Sequence, residues 1–148
     1  MRDKIIDIAI FLFWLITVIV YPMLISIYVT MPLFIGFAGL MLVTSIEKDR
    51  YWHIILVLLY MINLEINLSL PLFLIPISVV IFILLIKPRL SFLKLCPMCI
   101  KVVTVVAINI IYFILLYGYD FAHGQSSVNY DSFLLFSLIY DIIAAVLI

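Results

Sequence analysis

The chain has 148 residues, 69% of them hydrophobic and 11% charged, with a formal net charge of zero. An ordinary soluble domain is about half apolar and a quarter charged, so a water-soluble core under a polar coat is excluded as the architecture of this chain. Balanced charge, with no like-charge run, Gly/Ser linker or evident internal repeat, gives no footing for a nucleic-acid or tail-mediated partner and leaves a single transmembrane domain over residues 1–148.

A span needs about 20 mainly apolar residues to cross roughly 30 Å of hydrocarbon. Cut to that length, the apolar runs predict an all-α, polytopic membrane protein of about six helices. The first runs from about Ile5 to Tyr28, with Pro22 expected to kink or end it, and carries Asp7, an excess of length and no small-x-small site, against a cleaved signal peptide. Asp7 lies near Lys4 and reads as half of an interfacial ion pair. The second, short, runs from about Met31 to Ile46. Between Tyr51 and Ile86 there is no Lys, Arg or Asp, and Asn63 to Pro71 breaks the stretch, so two spans in a tight hairpin are expected. The fifth runs from about Ile100 to Tyr119 and, after a polar segment from Asp120 to Asp131, the sixth from Ser132 to Ile148.

All eight basic residues fall at alternate ends of these spans: Arg2 and Lys4, Lys48 and Arg50, then Lys87, Arg89, Lys94 and Lys101. Short loops rich in Lys and Arg stay cytoplasmic, which places both termini in the cytoplasm and Asp120 to Asp131 outside.

Charged and amide side chains within spans are the first candidates for a role. Asp141 and Asn109 are equidistant from the loop centre near Gln125, so an antiparallel hairpin brings them to one level, where an amide facing an acid relieves desolvation. Structural glue and a proton or cation relay are both open readings. In Asn63-Leu-Glu65-Ile-Asn67-Leu-Ser69-Leu-Pro71, a continuous helix would set Asn63 and Asn67 opposite Glu65 and Ser69. The helix is expected to unwind near Glu65, or to have protein or water against both faces. Glu65 is read as organising the outer helix halves and contributing to a partner-binding face, a ligand or ion site being the alternative. Glu65→Gln is then expected to be tolerated much better than Glu65→Leu.

Cys96-Pro97-Met98-Cys99 has the C-x-x-C spacing of redox pairs and of half a zinc site. His53 and His123 are expected on opposite sides of the membrane, which leaves a metal without ligands. The flanking basic residues place the cysteines on the reducing side, where two small interfacial residues compete with a redox pair or a palmitoylation site as the reading. No H-E-x-x-H, nucleophile elbow, P-loop or dinucleotide fingerprint occurs, and His123-Gly124 with Ser126 and Ser127 lacks an organised acid, so neither catalysis nor a cofactor is expected.

The stretch Met61-Ile-Asn-Leu-Glu65-Ile-Asn-Leu-Ser-Leu-Pro71-Leu-Phe73 resembles the part of the MreD family of rod-shape-determining membrane proteins that carries an intramembrane acid, a polar break and Pro-Leu-Gly. Leu138-Ile-Tyr140-Asp141 is similar to that family's last-span Leu-Tyr-Asn. Here Glu65 stands for Asp, Phe73 for Gly and Asp141 for Asn, and of the family's glycine-rich faces mainly Gly36 and Gly39 remain. The resemblance implies a six-helix core like that of transporter S components, both termini cytoplasmic in the bacterial inner membrane. It also implies a non-enzymatic subunit of the cell-elongation complex, joining MreC and, through it, the peptidoglycan synthase. Two other classes remain open: an S-component-like small-molecule-binding transporter subunit, and a membrane thiol-disulfide oxidoreductase of the DsbB type using Cys96 and Cys99.

Overall fold

A backbone hemmed in by aliphatic side chains has few partners for its N–H and C=O groups other than itself, and a helix pairs them within one segment. The computed structural model describes the backbone of residues 2–28, 31–90, 96–124 and 131–147, without the side chains of 2–7, 10, 11 and 131–134. Among these residues every regular element is a helix. Six rods result: α1 (Arg2–Ile27), α2 (Ile35–Glu47), α3 (Tyr51–Asn67), α4 (Leu74–Ile81, continued through a π turn at Phe82–Ile86 into Lys87–Leu90), α5 (Pro97–His123) and α6 (Asp131–Leu147).

The far boundary of α1 agrees with the sequence expectation, and two boundaries later in the chain refine it. Of the two outcomes expected at Pro22, a kink or an end, the helix does not end there but runs on to Ile27. The break in the Asn63 to Pro71 stretch begins at Leu68, because α3 stays helical through Asn67, the second of the two arrangements expected there. α5 extends through Asp120 to His123, four residues into the segment expected as loop, and stops at Gly124, whose φ of 63° closes the helix in the left-handed region that glycine occupies freely. The expected loop residues beyond it, including Gln125 and Ser127, lie outside the described residues.

α2 is the hub. It packs against α3, α4, α5 and α6, while α1 lies along α3. Although α2 has only 13 residues, eight of them are buried, among them Gly36 and Gly39. A Cβ on Gly36 would collide with the Asn109 amide and stand 2.8 Å from Val105, and one on Gly39 would stand 2.7 Å from Ile108, so these two glycines permit the close approach of α2 to α5. Around that contact Ile35, Leu64, Ile75, Val79, Phe82 and Ile108 are buried in one cluster.

Polarity is inverted relative to a water-soluble bundle. Phe13, Leu84, Ile114 and Leu135 are each more than 60% exposed, whereas Glu65, Ser78, Asn109, Ser137 and Asp141 are buried. Among the described residues, α5 is long and apolar enough to cross a membrane, and four shorter apolar stretches accompany it: Leu12–Ile27, Ile35–Glu47, Tyr51–Asn67 and Leu135–Leu147. Lys87 Nζ lies 3.0 Å from Glu47 Oε1, joining the end of α4 to the end of α2. Lys48, Arg50, Lys87, Arg89 and Lys101 therefore gather at one end of the bundle, as alternation of the rods requires. The side chains of Arg2, Lys4 and Asp7, and all of Lys94, are outside the described residues.

Candidate functional site

The first turn of a helix leaves N–H groups without intrahelical acceptors, and a buried helix start must find them elsewhere. α2 begins inside the bundle, directly after Pro32-Leu33-Phe34, and finds its acceptor on the last helix. The Gly36 N–H donates to Asp141 Oδ2 at 2.9 Å, and Asn109 Nδ2 donates to the same oxygen at 2.9 Å. The contact between Asn109 and Asp141 suggested by their spacing is thus present, with the α2 backbone as a third member. Side chains also fix the entering turn: Tyr21 donates to Pro32 O at 2.9 Å, Tyr60 donates to Leu33 O at 2.8 Å, and the Leu33 N–H donates to Ser137 Oγ at 3.0 Å. Four helices, α1, α3, α5 and α6, therefore hold the start of α2. Asp141 Oδ1 is buried without a hydrogen-bond partner among the described residues, so one carboxylate oxygen does all the accepting.

α4 begins in the same manner with a different donor of charge. Glu65, near the end of α3 and 0% exposed, reaches across the α3–α4 turn. Its Oε2 accepts from the Phe73 N–H at 2.6 Å and its Oε1 from the Ile75 N–H at 2.6 Å. Both oxygens are engaged. Phe73, the residue before α4, has φ 66°, and Phe34, before α2, has φ 50°, conformations that cost a residue with a Cβ about 1–2 kcal/mol. The two starts share a string, Pro32-Leu33-Phe34 and Pro71-Leu72-Phe73, a duplication of three residues.

The opposite face of α3 is also covered by protein. Asn63 Nδ2 donates to Val18 O at 3.2 Å and Ile19 O at 3.3 Å on α1, and Asn67 Nδ2 donates to Asn63 Oδ1 at 2.8 Å. Of the two arrangements left open for the Asn63 to Ser69 stretch, a continuous helix shielded on both faces is the one adopted. Glu65 exposes no surface, so any influence it has on a partner passes through the shape of the α3–α4 turn.

Cys96 and Cys99 are joined by a disulfide at the start of α5, both exposed, with the Cys99 N–H donating to Cys96 Sγ at 3.2 Å. No cluster of three or more His, Cys, Asp or Glu suited to a metal occurs among the described residues. His53 stands in the first turn of α3 and His123 in the last turn of α5, at opposite ends of the bundle. Chemically the arrangement offers hydrogen-bond acceptance by two buried acids and one exposed disulfide. Comparison with family models, with curated proteins and with solved structures finds no match.

Proposed function

We propose that the chain is a six-span protein of the bacterial inner membrane with both termini cytoplasmic, acting without catalysis as an MreD-like assembly subunit that binds an MreC-like partner and, through it, the cell-elongation synthase. The inverted polarity supports the membrane reading, since a bilayer accepts an apolar exterior and requires buried polar groups to be satisfied within the bundle. Basic residues gathered at one end support the orientation.

One observation carries the likeness to MreD. At the three positions where this chain departs from that family's pattern, the geometry explains what both residues have in common. Position 65 must offer two acceptor oxygens, to the Phe73 and Ile75 N–H groups, and both Glu and the family's Asp do so. Position 141 needs one acceptor oxygen, which Asp and the family's Asn both have. Position 73 has positive φ, the conformation that the family's Gly adopts without strain. With its acids committed to capping helices, the protein has its outer helix faces left for partners, and small polar contacts worth about 0.6 kcal/mol each hold the scaffold behind them.

The deciding experiment is purification of the tagged chain in gentle detergent from the cell that encodes it. Coelution of a single-span protein with a large external domain, with loss of rod shape on deletion, is the expected result. Coelution of a transporter ATPase would replace this reading with the S-component one. The exposed Cys96–Cys99 disulfide favours a second reading, a thiol-disulfide oxidoreductase. In that case a partner dithiol is oxidised as the disulfide takes two electrons and two protons, and a quinone takes them from the resulting thiols. A Cys96→Ser/Cys99→Ser protein that retains full function at normal abundance would eliminate it.

A further inference from the structure

A cavity of about 990 Å³ opens between α1 and α6, over a floor made by α2 and α3. Its lining is almost wholly apolar, including Val18, Phe37, Met41 and Leu56, and its charged residue, Arg50, sits at the basic end of the bundle with His53 and Trp52. Tyr21, Phe34 and Tyr60 line it at the opposite end. Both tyrosine hydroxyls at that end are already donated to Pro32 O and Leu33 O, so their rings present carbon to the cavity and no free polar group.

Length and polarity specify the occupant. From Arg50 to Tyr60 is ten residues of α3, about 15 Å at 1.5 Å per residue, which equals one leaflet of a hydrocarbon core about 30 Å thick. A compact, water-soluble ligand is recognised by polar groups that converge on it, whereas here the charged group stands at one end and the Thr17 hydroxyl on the α1 wall is already donated to Phe13 O. Among the described residues the Arg50 guanidinium has no ion-pair partner, and the hydrogen bonds that position 50 gives to the fold are main-chain ones, from its N–H to Ser45 O and from the His53 and Ile54 N–H groups to its carbonyl. Among the described residues the cation is thus spare, at headgroup depth in the membrane reading, above an apolar slot one leaflet deep. We propose that this cavity binds an anionic phospholipid of the cytoplasmic leaflet, its phosphate on Arg50 and His53 and its acyl chain between α1 and α6. The proposal rests on the membrane reading above.

Native mass spectrometry of the full chain, purified in detergent and titrated with phosphatidylglycerol or phosphatidylethanolamine, tests it. One phosphatidylglycerol should be retained in preference to phosphatidylethanolamine. Arg50→Gln should reduce that preference about fivefold, the factor for one basic residue near an anionic lipid surface. Thr17→Trp, which fills the slot from the α1 wall, should lower retention of both lipids while helicity by circular dichroism stays at the level of the unmodified chain. Equal retention of the two lipids by the unmodified chain, or undiminished retention by a folded Thr17→Trp protein, overturns the proposal. So does a photocrosslinker at Leu56 that captures a partner's transmembrane helix in cells instead of phospholipid. If alkaline carbonate strips the chain from membranes, the membrane reading fails and the lipid site with it. Extraction only by detergent together with no lipid preference rejects the site alone.

Discussion

A carboxylate differs from an amide of the same shape in offering two acceptor oxygens instead of one, and the two buried acids use that difference differently. Asp141 accepts through Oδ2 alone, so Asp141→Asn can present its carbonyl oxygen to Gly36 and Asn109 and point its NH2 where Oδ1 stands. The expected outcome is a thermal midpoint in detergent close to that of the unmodified protein. Asp141→Leu orphans two buried donors and should cost about 1–3 kcal/mol for each. Glu65 behaves otherwise. Because both its oxygens accept backbone N–H groups, Glu65→Gln turns an NH2 toward one of them and should cost about 1–3 kcal/mol, whereas Glu65→Leu orphans both donors and should cost about twice as much, which keeps the order expected from the sequence. A midpoint for Glu65→Gln equal to that of the unmodified chain would contradict the two-oxygen cap. Sequence spacing was enough to bring Asn109 to Asp141, since the partners lie on adjacent antiparallel rods. The third member, the Gly36 N–H, was not legible, because a main-chain donor at a helix start has no signature in residue type.

At the level of elements, the helix starts hold the strain. Phe73 is 55% exposed at φ 66°, so Phe73→Gly gives up little packing and removes a left-handed penalty of about 1–2 kcal/mol, offset by about 0.5–1 kcal/mol of extra chain entropy. A rise in thermal midpoint is expected. Phe34→Gly should instead destabilise, because the Phe34 ring packs against Tyr21 at 5.7 Å and Phe37 at 6.2 Å between centroids. The six apolar runs were readable because each is bounded by charge, proline or glycine. Where helices stop was less so. Pro22 left a kink and an end both open, and because a proline removes one hydrogen bond from a helix whose neighbours still hold, α1 continues past it. The polar alternation around Glu65 left unwinding and shielding on both faces open, and because α1 on one face and the start of α4 on the other supply partners, the helix persists. That the shortest rod is also the central one could not be inferred, because burial of α2 depends on which rods surround it.

For the whole molecule, orientation is the property that the sequence expresses most directly and that a single labelling experiment can check. In a chain with Cys96 and Cys99 replaced by Ser, a cysteine introduced at Ser127 should react with a membrane-impermeant maleimide added to intact cells, while one at Lys48 should react only after lysis. The reverse pattern would invert the protein and move Arg50 to the outer leaflet.

The two capped starts differ in a further respect, the order in which the chain can complete them. Glu65 is made before the N–H groups it accepts, eight and ten residues ahead, so the α3–α4 turn closes locally as soon as it leaves the ribosome. Gly36 must wait for Asp141, 105 residues later, an interval of about 5–20 s at ordinary rates of synthesis. Throughout that interval the start of α2 lacks the acceptor that caps its Gly36 N–H in the finished fold. Chains released after residue 130 should therefore retain a protease-resistant α3–α4 hairpin while being cleaved in the segment preceding α2. Resistance of that segment in the truncated chain would mean that the bundle assembles without its last helix.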